Sequence, residues 1–293
     1  MRRALDRAAR RSMGLLSAWP GLLVGGILLG LFLKSRAVLS LQPLSRLLFS
    51  SAWKPLRGQF GLLAFLSGTL WVTLAAMILA VPVALLTAIY LSEFAPRFVR
   101  GLAKPFIDLL AGIPSVVFGV WGILLVVPFV ARLAPLFGAY SSGYSVLAGA
   151  VVLAIMIFPT IILVSLEVFA AVSRDLRDAS LALGATRWET VKHVVLRKGA
   201  QGFIAAVVLG FSRAFGETMA VLMVVGNVAR VPKSLFDPAY PLPALIANNY
   251  GEMMSIPRTE SALMFSALVL LLMVLAFNFA ARLILTRVER RIQ

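Results

Sequence analysis

Five stretches of this chain run for between 21 and 34 residues without a charge: Ser12–Leu33, Phe60–Ser92, Leu109–Ala131, Leu133–Leu166 and Ser261–Ala281. A sixth, Gly199–Ala229, is broken only by Arg213 and Glu217. About 20 apolar residues carry a helix across the hydrocarbon core of a bilayer. Lipid offers backbone groups no partners, so a spanning segment is a helix or part of a closed barrel. These runs lack the strict alternation of barrel strands. The pattern therefore predicts an all-α, polytopic membrane protein with six transmembrane helices. They are expected at roughly 13–33, 62–91, 107–131, 145–170, 200–228 and 261–284. The second and fourth runs exceed the bilayer thickness and must tilt or bend, with Pro82 and Pro159 the expected bends. Residues 1–59 form an amino-terminal segment, first helix and outer loop, and 60–293 the remaining five-helix core.

One long polar connection, residues 173–199, keeps a helical rhythm. Leu176, Ala179, Ser180 and Leu183 recur at i, i+3, i+4 and i+7. Gly184 follows where a helix end favours a residue that accepts positive φ. Thr186 and Glu189 then have capping-box spacing, which starts a second helix with Trp188, Val191 and Val195 on one face. Such a pair either caps the bundle or seats itself in a groove of a soluble partner. The connection at about 229–260 contains Pro232, Pro238, Pro241 and Pro243, then a short helix over Leu245–Met254. Loops of this length with structure of their own tend to be functional. Docking of a partner and closure of an outer gate both fit.

Charge orients the chain. The net charge is +16, yet no aromatic-studded basic module gathers the 28 Lys and Arg residues, which argues against nucleic acid. Six spans put both termini on one side. Arg2, Arg3, Arg7, Arg10 and Arg11 make that side cytoplasmic, with 18 basic residues inside, 9 outside and Arg213 within the membrane. Lys34, Arg36, Arg46, Lys54 and Arg57 make the first outer loop unusually basic, as a solvated loop or a seat for an acidic partner. The first apolar run is long for a signal peptide and lacks a small-residue cleavage site, so it is expected to remain as an anchor. Cysteine is absent, which excludes thiolate metal sites. The single histidine, His193, has no evident catalytic or metal partners nearby. Scattered Gly112, Gly119, Gly122, Gly202, Gly210 and Gly216 allow close helix approach, within the chain or to another subunit.

Arg213 falls near the middle of the fifth span, with Glu217 four residues on. In a continuous helix both would point to nearly the same face. An intramembrane Arg costs roughly 2.5–3.5 kcal/mol on insertion scales, so it faces an interior or a water path. A simple ion pair is one reading. The other is that Arg213 meets an anionic substrate, since guanidinium fits the oxygens of phosphate or carboxylate. Glu217 would then hold Arg213 while the path is empty, or accept a proton from a protonated oxyanion. Asp108, opening the third span, and Glu167, ending the fourth, lie within snorkelling reach of water.

Two sets of residues resemble known families. Asp178-Ala179-Ser180, Gly184 and Val194-x-Leu196-Arg197 resemble the cytoplasmic E-A-A, G, I-x-L-P signature of ABC importer permeases. Arg197 replaces the usual proline and puts in doubt the sharp bend before the next span. Ser212-Arg213-Ala214-Phe215-Gly216-Glu217-Thr218-Met219-Ala220-Val221 with Gly226-Asn227 is similar to a segment of phosphate-specific permeases, C-type rather than A-type. Ala111–Gly119 with Trp121-Gly122, and Ala88–Pro96, are similar as well. The resemblance covers about residues 60–285 and implies a type I ABC importer permease fold in the bacterial inner membrane.

It also implies an assembly. The chain would form half of a phosphate path with a second, A-type permease, served by two ATPase subunits and an external phosphate-binding protein. Asp178, Ala179, Ser180, Leu183, Gly184, Ala185 and Trp188 would couple to the ATPase, and Arg213 and Glu217 would line the path. The chain carries no phosphate-binding loop of its own, so ATP and Mg are expected on the partner and no cofactor here. It is read as a transport permease rather than an enzyme. Another oxyanion, molybdate or sulfate, is the alternative cargo. An ATP-independent secondary transporter is the alternative mechanism, although no inverted repeat is visible.

Overall fold

The computed structural model describes the backbone of residues 2–292; the side chains of 2–9, 11, 285 and 288–292 lie outside the described set. The charge assignment resting on Arg2, Arg3, Arg7 and Arg11 falls among them. Among the described residues six helices are long and apolar enough to cross a membrane. The first is α1 (Arg2–Leu41). A short α2 (Leu44–Phe49) and a hairpin of β1 (Trp53–Lys54) and β2 (Gln59–Phe60) follow it. The second span is α3 (Leu63–Phe94). Next come α4 (Arg97–Gly112), α5 (Ser115–Phe137) and α6 (Val146–Ala171), then α7 (Arg174–Ala182) and α8 (Arg187–Gly216). The chain ends in α9 (Met219–Val224), α10 (Leu242–Met253) and α11 (Pro257–Ile292).

Three expected boundaries move. The first helix continues past 33 to Leu41, so Lys34 and Arg36 lie on it and not in a loop. The third span does not begin at 107. The chain breaks at Ile113-Pro114, where proline cannot donate a backbone hydrogen bond and biases the residue before it away from helix, so α4 is a separate helix and the span starts at Ser115. Asp108 therefore sits exposed on α4 and does not open a span. The fifth span is likewise interrupted. Pro82 and Pro159, by contrast, lie inside unbroken helices.

The bundle is organised around α6, which packs against α3 and α8. Along α3, Ala76, Ala80, Ala84 and Ala88 are all at most 2 % exposed and share a core with Leu153, Ile157 and Ile161 of α6. Four-residue spacing of alanines puts a groove along one helix side, and small residues let two backbones approach closely where no hydrophobic force drives them together. The glycines behave similarly. A Cβ at Gly202 would strike Val168, one at Gly210 Ile161, one at Gly122 Val152 and Val224, and one at Gly119 Met223. These four serve packing within the chain; nothing approaches Gly112 or Gly216. Stacked Phe211 and Phe277, with ring centroids 3.5 Å apart, join α8 to α11. Lys34 reaches Glu260 at 2.9 Å, which ties α1 to the start of α11.

Ala84→Leu should lower thermal stability of the detergent-solubilised protein, by about 1–3 kcal/mol for an overpacked site. Leu86→Ala, on the exposed side of the same helix, should leave it nearly unchanged.

Candidate functional site

The fifth span stops being helical at its most polar point. α8 ends at Gly216, Glu217 is extended (φ −69°, ψ 127°), and α9 restarts at Met219. Arg213 and Glu217 consequently do not stack on one helical face, and the expected i,i+4 pair is absent. Glu217 instead accepts the Ala220 N–H at 3.2 Å, satisfying a first-turn donor of α9. Arg213 donates from Nη1 to Thr160 Oγ1 of α6 at 2.7 Å. The arginine is thus held by a neighbouring span and not by Glu217. Its side chain lies exposed on the surface of the chain. At this depth a charged group must meet water or another protein.

Irregular backbone inside a membrane is tolerated where protein buries it or a cavity adjoins it. Glu217 lines a small cavity with Thr69, Thr73, Pro241 and Pro243. Those prolines belong to the outer connection, which folds back into the bundle. The Leu242 N–H donates to Thr69 Oγ1 at 2.9 Å, and Leu242 and Leu245 are fully buried. The same connection supplies carbonyls to the start of α6: Val146 N–H donates to Asp237 O at 2.9 Å and Leu147 N–H to Leu235 O at 2.8 Å. The segment expected as a helix over Leu245–Met254 is α10, and its first turn starts three residues earlier.

At the opposite end, residues 173–199 form the expected helix, turn and helix. Gly184 has φ +87°. The capping box is present, with Thr186 Oγ1 accepting the Glu189 N–H at 3.3 Å and Glu189 Oε2 accepting the Thr186 N–H at 2.7 Å. Glu189 lies in the polar 173–199 connection, before the apolar run of the fifth span begins. Donors from the Thr186 backbone, then from its hydroxyl, hold its carboxyl below the usual carboxylate range. α8 then runs unbroken into the fifth span, with a π-helical turn over Val191–Val195. Arg197 lies in that continuous helix, so the bend a proline would impose is missing.

The side of α7 turned to the protein is polar, and its outward side mixes charged and apolar residues. Its inward side carries Arg177 and Ser180, and Ser180 Oγ lies 2.9 Å from Thr190 Oγ1. Asp178, Ala179 and Leu176 point outward, and Leu183 is 90 % exposed just past the helix end. Ala185 is half-buried in the turn. Val191 and Val195 are buried as expected, but Trp188 is 53 % exposed. It sits on the first turn of α8, too far from the bundle to be covered. Leu176, Leu181, Leu183 and Trp188 are thus each exposed apolar residues of this two-helix element.

Sequence reasoning missed what holds α7 in place. Arg177 donates from Nη2 to Glu93 Oε1 at 2.8 Å and to Phe169 O at 2.7 Å, and from Nε to Glu93 Oε2 at 3.2 Å. Its Nη1 donates to Val172 O. Glu93 ends α3, and Phe169 and Val172 end α6. The available signal was a lone acid closing an apolar run and a basic residue just past a helix end, where it can cap free carbonyls. Elsewhere, Glu167 lines a cavity of about 240 Å³ with Arg100, Lys104 and Ser92. His193 is exposed, with Nδ1 3.1 Å from Glu189 O. No cluster of metal-ligating side chains occurs among the described residues.

Six long apolar helices, one interrupted beside an exposed arginine, with a two-helix element at one end, define a polytopic membrane protein. The chain belongs to the family of binding-protein-dependent transport system inner membrane components, whose model matches residues 80–293. It is 39% identical over 242 residues to a probable ABC transporter permease protein, YqgH, of Bacillus subtilis, covering 82% of this chain and 77% of that protein. It is 37% identical over 271 residues to the phosphate transport system permease protein PstC of Xylella fastidiosa, covering 87% and 83%. Two solved structures share the fold. One is the inward-facing MetNI methionine ABC transporter (TM-score 0.58, 19% identity, 81% of this chain, 99% of that one). The other is a bacterial ABC transporter that imports the acidic polysaccharide alginate (TM-score 0.61, 14% identity, 95% and 98%).

Thr186→Ala should loosen the start of α8. Hydrogen exchange at residues 187–190 should accelerate about fivefold, the size of a lost helix cap.

Proposed function

We propose that this chain is the C-type permease of an ATP-driven importer of inorganic phosphate. The observation that carries the cargo is Arg213, exposed beside the break in the fifth span and, among the described residues, hydrogen-bonded to the neutral Thr160 hydroxyl. A guanidinium without a carboxylate partner keeps its charge and most of its donors for an oxyanion. Phosphate-system relatives, 33–37% identical over most of the chain, support phosphate over sulfate or molybdate. An exposed arginine also calls for a second wall, which a related A-type permease would supply. Glu217 shapes that path by capping α9.

The exposed Leu183 and Trp188 of the two-helix element support docking of a separate ATPase subunit, where ATP and Mg would be bound. Asp178, Ala179, Leu183 and Trp188 offer it a mixed polar and apolar surface. On this reading both termini would lie in the cytoplasm, the chain in the bacterial inner membrane, and a phosphate-binding protein would meet the opposite end.

Arg213→Ala should cut uptake of labelled phosphate about tenfold or more in cells relying on this importer, the scale of one lost charge-assisted contact. Arg213→Lys should recover part of it. Wild-type uptake by the alanine variant would remove Arg213 from the path. Leu183→Asp should reduce the ATPase that co-purifies with the permease; full recovery of the ATPase would refute the docking surface.

A further inference from the structure

Below the broken span, one side chain gathers three parts of the molecule that have no reason of sequence to be joined. Arg177 reaches from α7 to the end of α3 through Glu93 and to the end of α6 through the carbonyls of Phe169 and Val172. Side chains of Arg177 and Glu93 are only 18 % and 11 % exposed, so the pair is shielded far more than an ordinary surface ion pair. Glu93 is itself fixed, since its Oε1 accepts the Ser92 hydroxyl at 2.8 Å. The Ser92 carbonyl in turn accepts from Arg100 of α4 at 2.6 Å. The remaining α7 contact recorded by hydrogen bond between side chains, Ser180 with Thr190, leads into α8.

We infer that the Arg177–Glu93 pair is the mechanical link through which movement of α7 reaches spans α3 and α6. This rests on the reading of α7 as the ATPase-docking element. A planar guanidinium can bridge a carboxylate and two carbonyls at once, which a lysine ammonium on a flexible stem cannot do with fixed geometry. No residue of α7 is fully buried, with Leu176 and Leu181 42 % and 45 % exposed, so packing alone holds it weakly. The ion pair and the carbonyl bonds carry the attachment. Thr160, which holds Arg213, lies on the same rigid helix as Phe169, about 14 Å away along its axis. A shift of α7 transmitted through Arg177 therefore moves the residue that restrains Arg213.

The test uses the complete importer in lipid vesicles, with phosphate transported per ATP hydrolysed as the readout. Glu93→Gln and Arg177→Gln should each keep the ATPase bound and hydrolysing while phosphate moved per ATP falls about fivefold or more, the lower end of typical coupling energies. Arg177→Lys should behave like Arg177→Gln. The double variant should be no worse than Arg177→Gln alone, because one link is broken only once. Wild-type transport per ATP in the isosteric Glu93→Gln variant would overturn the inference, and so would rescue by Arg177→Lys. Loss of the ATPase from these variants would overturn it too, by making the pair part of docking. The Leu183→Asp control separates failures. If that variant keeps its ATPase, the docking reading itself falls. If it loses the ATPase while Glu93→Gln transports normally, only the link falls.

Discussion

The structure depends on satisfying the two ends of α6. A helix leaves its first N–H and last C=O groups without partners, and a membrane interior gives no water to replace them. The outer connection answers at one end with the carbonyls of Leu235 and Asp237. Arg177 answers at the other with its guanidinium on Phe169 and Val172. Between these ends α6 is the most buried span, packed on the alanine groove of α3. Three parts are thereby fixed to one rod: the outer segment, Thr160 with Arg213, and α7.

The same constraint explains the break at Glu217. A helix interrupted at mid-depth exposes carbonyls and N–H groups that must be met locally. Glu217 meets the Ala220 N–H, and the inward-folded prolines of the outer connection close the space beside it. Arg213 keeps its freedom because the carboxylate nearest in sequence is spent on the backbone. An arginine neutralised by its neighbour would offer an oxyanion little. One held by a hydroxyl loses no charge.

Much of this was legible in the sequence. Long uncharged runs gave the six spans, and the two-helix connection followed from Gly184, Thr186 and Glu189. What local pattern could not give were departures from regular helix. Pro114 was visible, yet its effect was to split α4 from α5 and move Asp108 off the third span. The run through Arg213 and Glu217 contains no proline, and its one local breaker, Gly216, is a glycine like several others that stay inside helices. The partnership of Arg177 with Glu93 spans 84 residues, and no periodicity reports a contact at that separation. Trp188 shared a helical face with two buried valines, but burial depends on how far the bundle extends.

The central claim is that this fold moves phosphate only when an attached ATPase works. The direct measurement is accumulation of labelled phosphate in vesicles bearing the assembled importer, with and without ATP on the α7 side. The expected result is uphill accumulation that needs ATP, is competed by unlabelled phosphate and is indifferent to sulfate. Accumulation that proceeds equally without ATP, or that sulfate abolishes, would contradict the account.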